Sequence, residues 1–285
     1  MVDFKTLEDT RTELLHAAFI EAFSDYQVKM NLPLEKFKIM LQSRGYSPEF
    51  SIGAFKDDKL IGFILNGIRN WRGQTTVYDC GTGVIPEYRK QGITSKMFSE
   101  VLSLLRGNSI EHYLLEVIQS NEAAVNLYKK QGFFITRDLL CFKIDKNLIR
   151  EAPSTPIKCQ SYSIEQIDWE LFKSFWSFEP SWQNSVDSIV AVSDLFEVII
   201  AEIDGKTIGY GIIDRVTGTI PQLAVHKDYR CKGIGHNILK ILIQYTEAGN
   251  ISFINVDNRC TSSIEFLENL GFDNFVNQYE MMLNI

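Results

Sequence analysis

The chain contains one short sequence twice, and this duplication limits the folds open to it more than any other feature. Residues 87–94 read EYRKQGIT and residues 228–235 read DYRCKGIG. Each copy is an acidic residue, a Tyr-Arg pair, two variable residues and then Gly-Ile followed by a small residue. The central glycines are 141 residues apart in a chain of 285, so the repeat indicates two duplicated units of similar length, one after the other.

Both halves carry the same order of secondary-structure signals around this sequence. A strand, a polar two-residue turn and a second strand come first, in residues 50–68 with an Asp-Asp turn and in residues 196–216 with an Asp-Gly turn. A β-like run then leads into each copy, in residues 75–89 and 218–230. A helix with apolar residues at every fourth position follows, marked by Ile93, Met97, Val101 and Leu105 in the first half and by Ile234, Ile238 and Leu242 in the second. A short apolar strand, a second helix, a Gly-Phe pair and a last strand complete each half.

A stretch rich in proline separates the two halves. Residues 153–156 read PSTP and interrupt every periodic pattern, which is typical of a linker. We therefore expect a boundary near residue 152, with one domain over residues 1–152 and the other over 153–285. Each half opens with a mainly helical stretch, and mixed strands with helices on both faces predict the α/β fold class.

The composition argues against several classes of function. With 45% hydrophobic and 23% charged residues the chain is typical of a soluble globular protein, and its net charge of −7 offers no basic surface for nucleic acid. This charge mildly favours cationic small molecules as partners. No apolar run has the length of a membrane span and the N-terminus lacks a signal-peptide pattern, so we expect a cytoplasmic protein. The five scattered cysteines, without C-x-x-C spacing, indicate reduced thiols rather than disulfides or a zinc site.

The repeated sequence lies where a strand leads through glycine into a helix, a geometry that can hold a phosphate. The first backbone N–H groups of a helix have no partner within it and are suited to an anion. Gly92, Gly233 and Gly235 permit the close backbone approach that a Cβ would obstruct, and Arg89 and Arg230 add positive charge beside the loops. A glycine-rich helix start is by itself a weak signal, with an ordinary helix N-terminus as the alternative.

Together with the second helix and the Gly-Phe pair, these motifs make the chain resemble the GCN5-related N-acetyltransferase (GNAT) family in its tandem two-domain form. The resemblance covers essentially the whole chain and implies two domains, each with a mixed, mostly antiparallel central sheet and helices on both faces. Residues 121–133, NEAAVNLYKKQGF, resemble the second motif of the family and begin with Asn121. The residues that match its pyrophosphate loop are Arg89, Lys90, Gln91, Gly92, Ile93 and Thr94 in the first half, and Arg230, Cys231, Lys232, Gly233, Ile234 and Gly235 in the second.

The resemblance implies direct transfer of an acetyl group from acetyl-CoA to a primary amine of a small molecule, without a metal. Both loops are expected to bind the pyrophosphate of coenzyme A, and Asn121 is assigned to the same cofactor site. The pantetheine arm is expected along the preceding strands, near Val84 and Val225. The expected partner is a small-molecule amine acceptor, and the expected assembly is a monomer or a homodimer.

The two halves differ at positions that carry the chemistry. Counted back from the Gly-Phe pairs, Tyr128 corresponds to Leu267 and Asn121 corresponds to Cys260. In members of the family that keep this tyrosine it commonly protonates the leaving thiolate, so the resemblance makes Tyr128 the candidate acid. Its helical spacing alone indicates an aromatic residue packed in the core. We expect the first half to be catalytic and the second to bind coenzyme A or to be structural. The alternative for the whole chain is a non-catalytic coenzyme A-binding or sensor protein.

Two carboxylates are candidates for deprotonating the amine. Asp79 lies on the strand that leads to the first loop and Glu116 lies on the next strand, and either can act directly or through water. Each can equally be a solvated or hydrogen-bonded strand residue, and we favour this simpler interpretation. If the strand bulges near residues 81–84, backbone N–H groups there can bind the thioester oxygen.

Acceptor specificity is assigned to the openings of the two halves. Tyr26 and Met30 lie in the first opening. An aromatic cluster lies in the second opening and consists of Phe175, Trp176, Phe178 and Trp182, with Gln183 beside them. Such a cluster can cover an apolar substrate pocket, but it more often forms core between domains, and we favour that role.

Overall fold

The computed structural model of the protein describes residues 1–25, 32–151 and 157–285. The acceptor candidates Tyr26 and Met30 lie outside the described residues, as does residue 152, so the domain boundary there stays a prediction. The chain forms two compact units. Unit 1 comprises Met1–Val117, Asn121–Thr136 and Glu280–Ile285, and unit 2 comprises Ile118–Ser120 and Arg137–Tyr279.

Unit 1 is built on strands that lie side by side in chain order, together with helices from the same half of the sequence. The strands are β1 (Asp3–Thr6), β2 (Ile52–Lys56), β3 (Lys59–Trp71), β4 (Gln74–Val84) and β5 (His112–Ile118). The helices are α1 (Thr12–Ala22), α2 (Leu34–Arg44), α3 (Ile93–Gly107) and α4 (Glu122–Lys130). Neighbours from β1 to β4 are antiparallel, whereas β4 and β5 are parallel, so the sheet is mixed.

The local patterns of the first half are confirmed. β2 and β3 form a hairpin closed by Asp57 and Asp58, whose φ angles of 49° and 61° are those of a primed turn that matches the strand twist. α3 buries Met97, Val101 and Leu105 completely, as its four-residue spacing predicts. The predicted apolar strand HYLLEVI is β5.

Unit 2 repeats this plan, with shorter helices in its opening. The strands are β6 (Phe134–Asp145), β7 (Lys158–Tyr162), β8 (Phe196–Ile203), β9 (Lys206–Asp214), β10 (Gln222–Val225), β11 (Asn250–Asp257) and β12 (Asp273–Asn284). The helices are α5 (Trp169–Lys173), α6 (Val186–Val190), α7 (Ile234–Leu242) and α8 (Thr261–Asn269). β7 to β10 form an antiparallel sheet in the order β10-β9-β8-β7, and β6 pairs with β11. The Asp204-Gly205 turn closes the β8–β9 hairpin as predicted.

The opening of unit 1 is mainly helical, as predicted, with 11 residues in each of α1 and α2, whereas the opening of unit 2 is less helical than predicted. Each half begins with a short edge strand, β1 or β7, which the sequence pattern does not predict. In unit 2 the helices of the opening, α5 and α6, have five residues each. Pro180 and the hydrogen-bonding serines Ser181 and Ser185 lie between them, and such residues favour caps and turns over continued helix.

The last strand of each half of the sequence is divided between the units. β6 belongs to unit 2 from Arg137 onward, where it pairs with β11 from Asp145–Asn250 to Leu139–Asp257. β12 belongs to unit 1 from Glu280 onward, where the N–H of Ile285 donates to the carbonyl of Glu111. Within the described residues, no helix has the length and apolar character needed to cross a membrane.

Candidate active site

The turn before α3 has the geometry of an anion-binding loop. Lys90 and Gly92 both have positive φ, at 60° and 76°, and Gly92 is the N-cap of α3. A Cβ at Gly92 would meet nothing within 4 Å, so the space beside this backbone is open. The N–H groups of the first helical turn therefore adjoin space that a phosphate can occupy.

The corresponding turn in unit 2 has the same backbone conformation. Cys231 and Gly233 have φ angles of 59° and 77°, within one degree of those of Lys90 and Gly92. Gly233 is the N-cap of α7, as Gly92 is of α3. The two copies of the repeated sequence thus form the same loop.

The arginine of the first loop holds the loop to the rest of unit 1. Arg89 donates from Nε to the carbonyl of Val84 at 3.0 Å and from Nη2 to the carbonyl of Ala22 at 2.7 Å. Its guanidinium also forms a two-pronged ion pair with Asp25, at 2.6 and 2.9 Å. The hydrogen bond from Arg89 keeps the pKa of the Asp25 carboxyl below its ordinary value. Arg89 is therefore a brace of the loop.

Arg230 makes the equivalent bonds in unit 2. Its Nε donates to the carbonyl of Val225 at 3.0 Å and its Nη2 to the carbonyl of Phe175 at 2.8 Å. Each arginine thus fixes the end of its strand, at Val84 or Val225, to the loop that follows. The sequence pattern predicts both arginines as positive charges beside the phosphate, and it carries no signal for these bracing contacts.

β4 bulges and separates from β5 just before the loop. The two strands pair from Thr76–His112 to Tyr78–Leu114, and both are described over their full length beyond that point without further pairing. The β3–β4 register shifts by one residue at Cys80, so a bulge lies immediately before Gly81. The Nη1 of Arg44 donates to the carbonyl of Cys80 at 2.6 Å and holds the bulge. The gap between the strands exposes one side of β4 to a ligand.

Asp79 and Tyr128 meet at this bulge. The hydroxyl of Tyr128, on α4, donates to Oδ2 of Asp79 at 3.2 Å. Thr82 donates to the same oxygen at 2.8 Å, and the N–H of Gly81 donates to Oδ1 at 2.8 Å. The ring of Tyr128 packs edge-on against Phe133, so both the hydroxyl and the ring are positioned. A candidate acid and a candidate base are therefore one hydrogen-bonded pair.

The environment of Asp79 raises its proton affinity. Burial in unit 1 raises the pKa of the Asp79 carboxyl to about 6, although Thr82, Gly81 and Tyr128 donate hydrogen bonds that act in the opposite direction. A carboxyl with such a pKa can exchange protons near neutral pH, which is a property of general acids and bases. Thr82, which no sequence motif marked, is part of this group.

The other predicted residues of the first half lie around this centre. Glu116 is half-buried on β5. Asn121 is the N-cap of α4, where its Oδ1 accepts from the N–H of Ala124 at 3.2 Å. Ile93 is buried in the core, whereas Thr94 is half-buried at the start of α3. The N–H of Gly81 donates to Asp79 and is not available to a ligand. The predicted backbone donors to the thioester oxygen are therefore limited to residues 82–84.

Unit 2 keeps the loop but replaces the polar centre. Counted from the glycine and valine of each loop, Ile220 and Leu223 stand where unit 1 has Asp79 and Thr82. Counted from the Gly-Phe pairs, Asn255 replaces Glu116 and Leu267 replaces Tyr128. Ile220 and Leu267 are 1% and 2% exposed and belong to one apolar core cluster. The positions of the candidate acid and of its carboxylate partner thus both carry apolar residues in unit 2.

A cavity of about 530 Å³ lies beside the second loop. Arg230, Gly233 and Gly235 line it at the loop, and Leu223 and Val225 line it along β10. Of the aromatic cluster, Trp176 and Phe178 line the cavity. The other two members, Phe175 and Trp182, are 1% and 0% exposed and are therefore core residues, while their predicted place between the domains stays a prediction. A pocket of this size is within the range of small-molecule sites.

The part of the chain that the structure describes holds no group of three or more His, Cys, Asp or Glu side chains arranged for a metal ion.

Two proteins of known activity are similar to part of the chain. N-alpha-acetyltransferase 30 of Schizosaccharomyces pombe is 33% identical over 87 residues, which are 30% of this chain and 58% of that protein. N-alpha-acetyltransferase 50 of Danio rerio is 27% identical over 105 residues, which are 35% of this chain and 62% of that protein. The chain therefore spans about three fifths of the length of these relatives.

Two solved structures are similar over almost the whole chain. A tandem GNAT protein from the clavulanic acid biosynthesis pathway superposes with a TM-score of 0.75 at 13% identity, over 100% of this chain and 98% of that one. A GCN5-related N-acetyltransferase from Sphaerobacter thermophilus superposes with a TM-score of 0.72 at 14% identity, over 99% and 95% of the two chains. These likenesses confirm the α/β fold in its tandem form. The model of the acetyltransferase (GNAT) family matches residues 12–133 and again residues 161–272, and the chain therefore belongs to the GNAT acetyltransferase family, with the family domain present twice.

Proposed function

We propose that unit 1 transfers an acetyl group directly from acetyl-CoA to a primary amine of a small molecule. The observation that carries this proposal is the hydrogen bond between Tyr128 and Asp79. It joins a proton donor to a carboxylate at the bulge of β4, five residues before the strand ends at Val84 and the loop of Gly92 begins. A proton donor for the leaving thiolate and a base for the amine are the two groups that general acid–base catalysis of this transfer uses.

The loop of unit 1 would bind the pyrophosphate of coenzyme A. The positive φ of Gly92 and the open space beside it suit the approach of a phosphate to backbone N–H groups. Arg89 would support this binding without contacting the phosphate, because its hydrogen bonds fix the position of Val84 and the loop. The pantetheine arm would lie along β4 beyond Tyr78, where β5 has moved away and backbone groups can pair with its amides.

Tyr128 would donate its proton to the sulfur as the carbon–sulfur bond breaks. Asp79, directly or through water, would take the proton that the amine nitrogen loses as the nitrogen–carbon bond forms. One proton leaves the amine and one joins the thiolate, so the step is balanced. Because Asp79 and Tyr128 are hydrogen-bonded, the proton gained by Asp79 can replace the proton that Tyr128 gives up. Glu116 is the second candidate for the base, since it lies on β5 across the gap.

For unit 2 we propose coenzyme A binding without transfer. Its loop has the conformation of the first loop, and a cavity lies beside it. Leu267, Ile220 and Asn255 occupy the positions of the acid and of both candidate bases. The alternative for the whole chain, a coenzyme A-binding or sensor protein, extends this role to unit 1 and is disfavoured by the Tyr128–Asp79 pair.

The acceptor is tested by an unbiased screen of amines. The purified chain is incubated with acetyl-CoA and one of several amines, and the released thiol is measured. Polyamines, amino acids and aminoglycosides represent small molecules, and a tripeptide with a free N-terminus represents the alpha-amino group in the names of the two N-alpha-acetyltransferase relatives. Transfer to small amines supports the proposal, and transfer to the peptide alone would replace its acceptor class. Binding of acetyl-CoA without transfer to any amine in the panel would favour the sensor alternative.

A further inference from the structure

The cavity of unit 2 has an apolar interior at the positions that are polar in unit 1. In unit 1, Thr82 and Tyr128 both donate hydrogen bonds to Asp79. The three equivalent residues of unit 2 are Leu223, Leu267 and Ile220, and all three line the cavity. The polar group that would contact the thioester in unit 1 is therefore replaced by apolar side chains at the cavity of unit 2.

The joint replacement is the pattern expected for a surface that has changed its ligand. Replacing a single member of a buried hydrogen-bonded group leaves the others without partners and is costly, whereas replacing all of them by apolar residues of similar size is not. Ile220 and Leu267 belong to the buried core cluster, and Leu223 packs against this cluster. Leu223 is the third residue of the replacement. It is half-buried and lies two residues before Val225, on the strand that leads to the loop.

Four residues of the cavity wall are joined by hydrogen bonds to one another: Trp176, Tyr210, Gln222 and Asn184. The Nε1 of Trp176 donates to the hydroxyl of Tyr210 at 2.6 Å, and that hydroxyl donates to Oε1 of Gln222 at 2.8 Å. The Nε2 of Gln222 donates to the carbonyl of Asn184 at 2.8 Å. Among the described lining residues Glu265 is the one carboxylate, and it is exposed. The cavity therefore offers little to a cationic amine, and its side with Ile220, Leu223 and Leu267 suits an apolar group.

We infer that unit 2 is a binding site for coenzyme A thioesters whose acyl chain is longer and more apolar than acetyl, with the chain lying against Leu223 where it packs on the buried Ile220 and Leu267. The inference rests on the proposed binding of coenzyme A by the second loop and adds the class of acyl group. The thioester is held and not consumed, because the positions of the proton donor and its carboxylate partner carry apolar side chains. Unit 2 would thus distinguish longer acyl thioesters from the acetyl donor that unit 1 uses.

The test compares acetyl-CoA with hexanoyl-CoA by calorimetry on the full chain carrying Gly92→Val, which impairs the loop of unit 1. Hexanoyl-CoA has four more methylenes, and each buried methylene tightens binding by up to about fourfold. We expect hexanoyl-CoA to bind with a stoichiometry of one and at least ~10-fold more tightly than acetyl-CoA. Equal affinities, or tighter binding of acetyl-CoA, would overturn the inference.

A pair of matched variants tests the position of the chain. Leu223→Thr restores the residue type that unit 1 has at this position and should reduce the preference for hexanoyl-CoA at least ~3-fold, since part of the apolar contact is lost. Leu171→Thr is the same change on α5, outside the cavity at an exposed site, and should leave the preference unaltered. A preference that both variants keep would place the chain elsewhere and contradict the inference. Thermal melts confirm that each variant is folded.

The result also separates this inference from the proposed function. If the wild-type chain binds acetyl-CoA at one site and the Gly92→Val variant binds neither thioester, the inference fails while the function proposed for unit 1 stands. If the wild-type chain binds neither thioester, both fail. Should Gly92→Val not fold, the wild-type titration decides instead, because the inference requires a second, tighter class of sites for hexanoyl-CoA.

Discussion

The hydroxyl of Tyr128 donates a hydrogen bond to the carboxylate of Asp79 across 3.2 Å, although the two residues are 49 positions apart in the sequence. Tyr128 comes from the last turns of α4, and Asp79 lies immediately before the bulge of β4. In unit 2 the same two positions are Leu267 and Ile220, both buried. The pair is thus present or absent as a unit within one chain, which is the behaviour expected of two residues that share one task.

Tyr128→Phe should lower kcat by about a hundredfold to ten-thousandfold, because it removes the proposed proton donor to the thiolate and keeps the ring. The KM for acetyl-CoA should change little, since the hydroxyl acts chiefly as the carbon–sulfur bond breaks. Steady-state kinetics with an amine identified by the screen measures both constants. Full turnover by the variant would show that Tyr128 is not the acid.

Leu267→Ala is the matched control in unit 2. It should behave as a core truncation and lower the free energy of unfolding by about 2–5 kcal/mol, since Leu267 is 2% exposed. Acetyl transfer by folded protein should be unaffected at a temperature below the melting transition. A loss of kcat as large as that of Tyr128→Phe would mean that chemistry occurs in unit 2.

Asp79→Asn should alter how stability depends on pH. Burial raises the folded-state pKa of Asp79 to about 6 from an ordinary value of 3.8, so the folded protein holds this proton more tightly than the unfolded chain. The stabilisation is fully present below pH 3.8 and is lost as the pH rises through about 6. Its loss is on the order of 2–3 kcal/mol, and asparagine, which does not ionise, removes this dependence.

Urea unfolding at pH 4.5 and at pH 8 measures the effect as a difference between variants. Wild-type protein should lose more stability between the two pH values than Asp79→Asn does. Asp58→Asn, in the exposed turn between β2 and β3, should follow the wild type. An Asp79→Asn profile parallel to that of the wild type would show that this carboxyl titrates normally.

The sequence predicted features that depend on neighbouring residues and missed those that depend on distant ones. The turns at Asp57-Asp58 and Asp204-Gly205 follow from local backbone preference, and the buried face of α3 follows from helical period. The contact of Tyr128 with Asp79 depends on the bulge in β4 and on the divergence of β5 from β4. Both features are determined by strand pairing across the sheet. The sequence therefore identified Tyr128 and Asp79 as separate candidates but did not predict the hydrogen bond between them.

The contacts of the loop arginine also could not be predicted from local sequence. The pattern of the loop identifies Arg89 as part of a phosphate site, but its partners Ala22 and Asp25 lie more than 60 residues away at the end of α1. The distribution of β6 and β12 between the units also lay beyond prediction. Pairing of strands so far apart is set by the packing of whole sheets, which no local pattern records.

Arg89→Lys should weaken binding of coenzyme A to unit 1 on the order of tenfold, although the charge is kept, because lysine cannot bond to Val84, Ala22 and Asp25 at once. Amide hydrogen exchange should also become faster in residues 84–92, since the brace between strand and loop is lost. Lys90→Ala, at the exposed neighbouring position, should leave exchange in this segment unchanged. Faster exchange in both variants, or in neither, would show that Arg89 does not brace the loop.

Gly92→Val should weaken coenzyme A binding to unit 1 by at least about tenfold, since a branched side chain would occupy the open space beside the loop and disfavour its backbone conformation, with φ at 76°. The matched control is Gly73→Val in the turn between β3 and β4. Gly73 has φ at 83°, and a Cβ there would likewise meet nothing within 4 Å, so both variants carry similar backbone strain. Calorimetry on the two variants separates strain from steric exclusion of the phosphate. Affinity retained by folded Gly92→Val, or lost equally in Gly73→Val, would reject the loop as the pyrophosphate site.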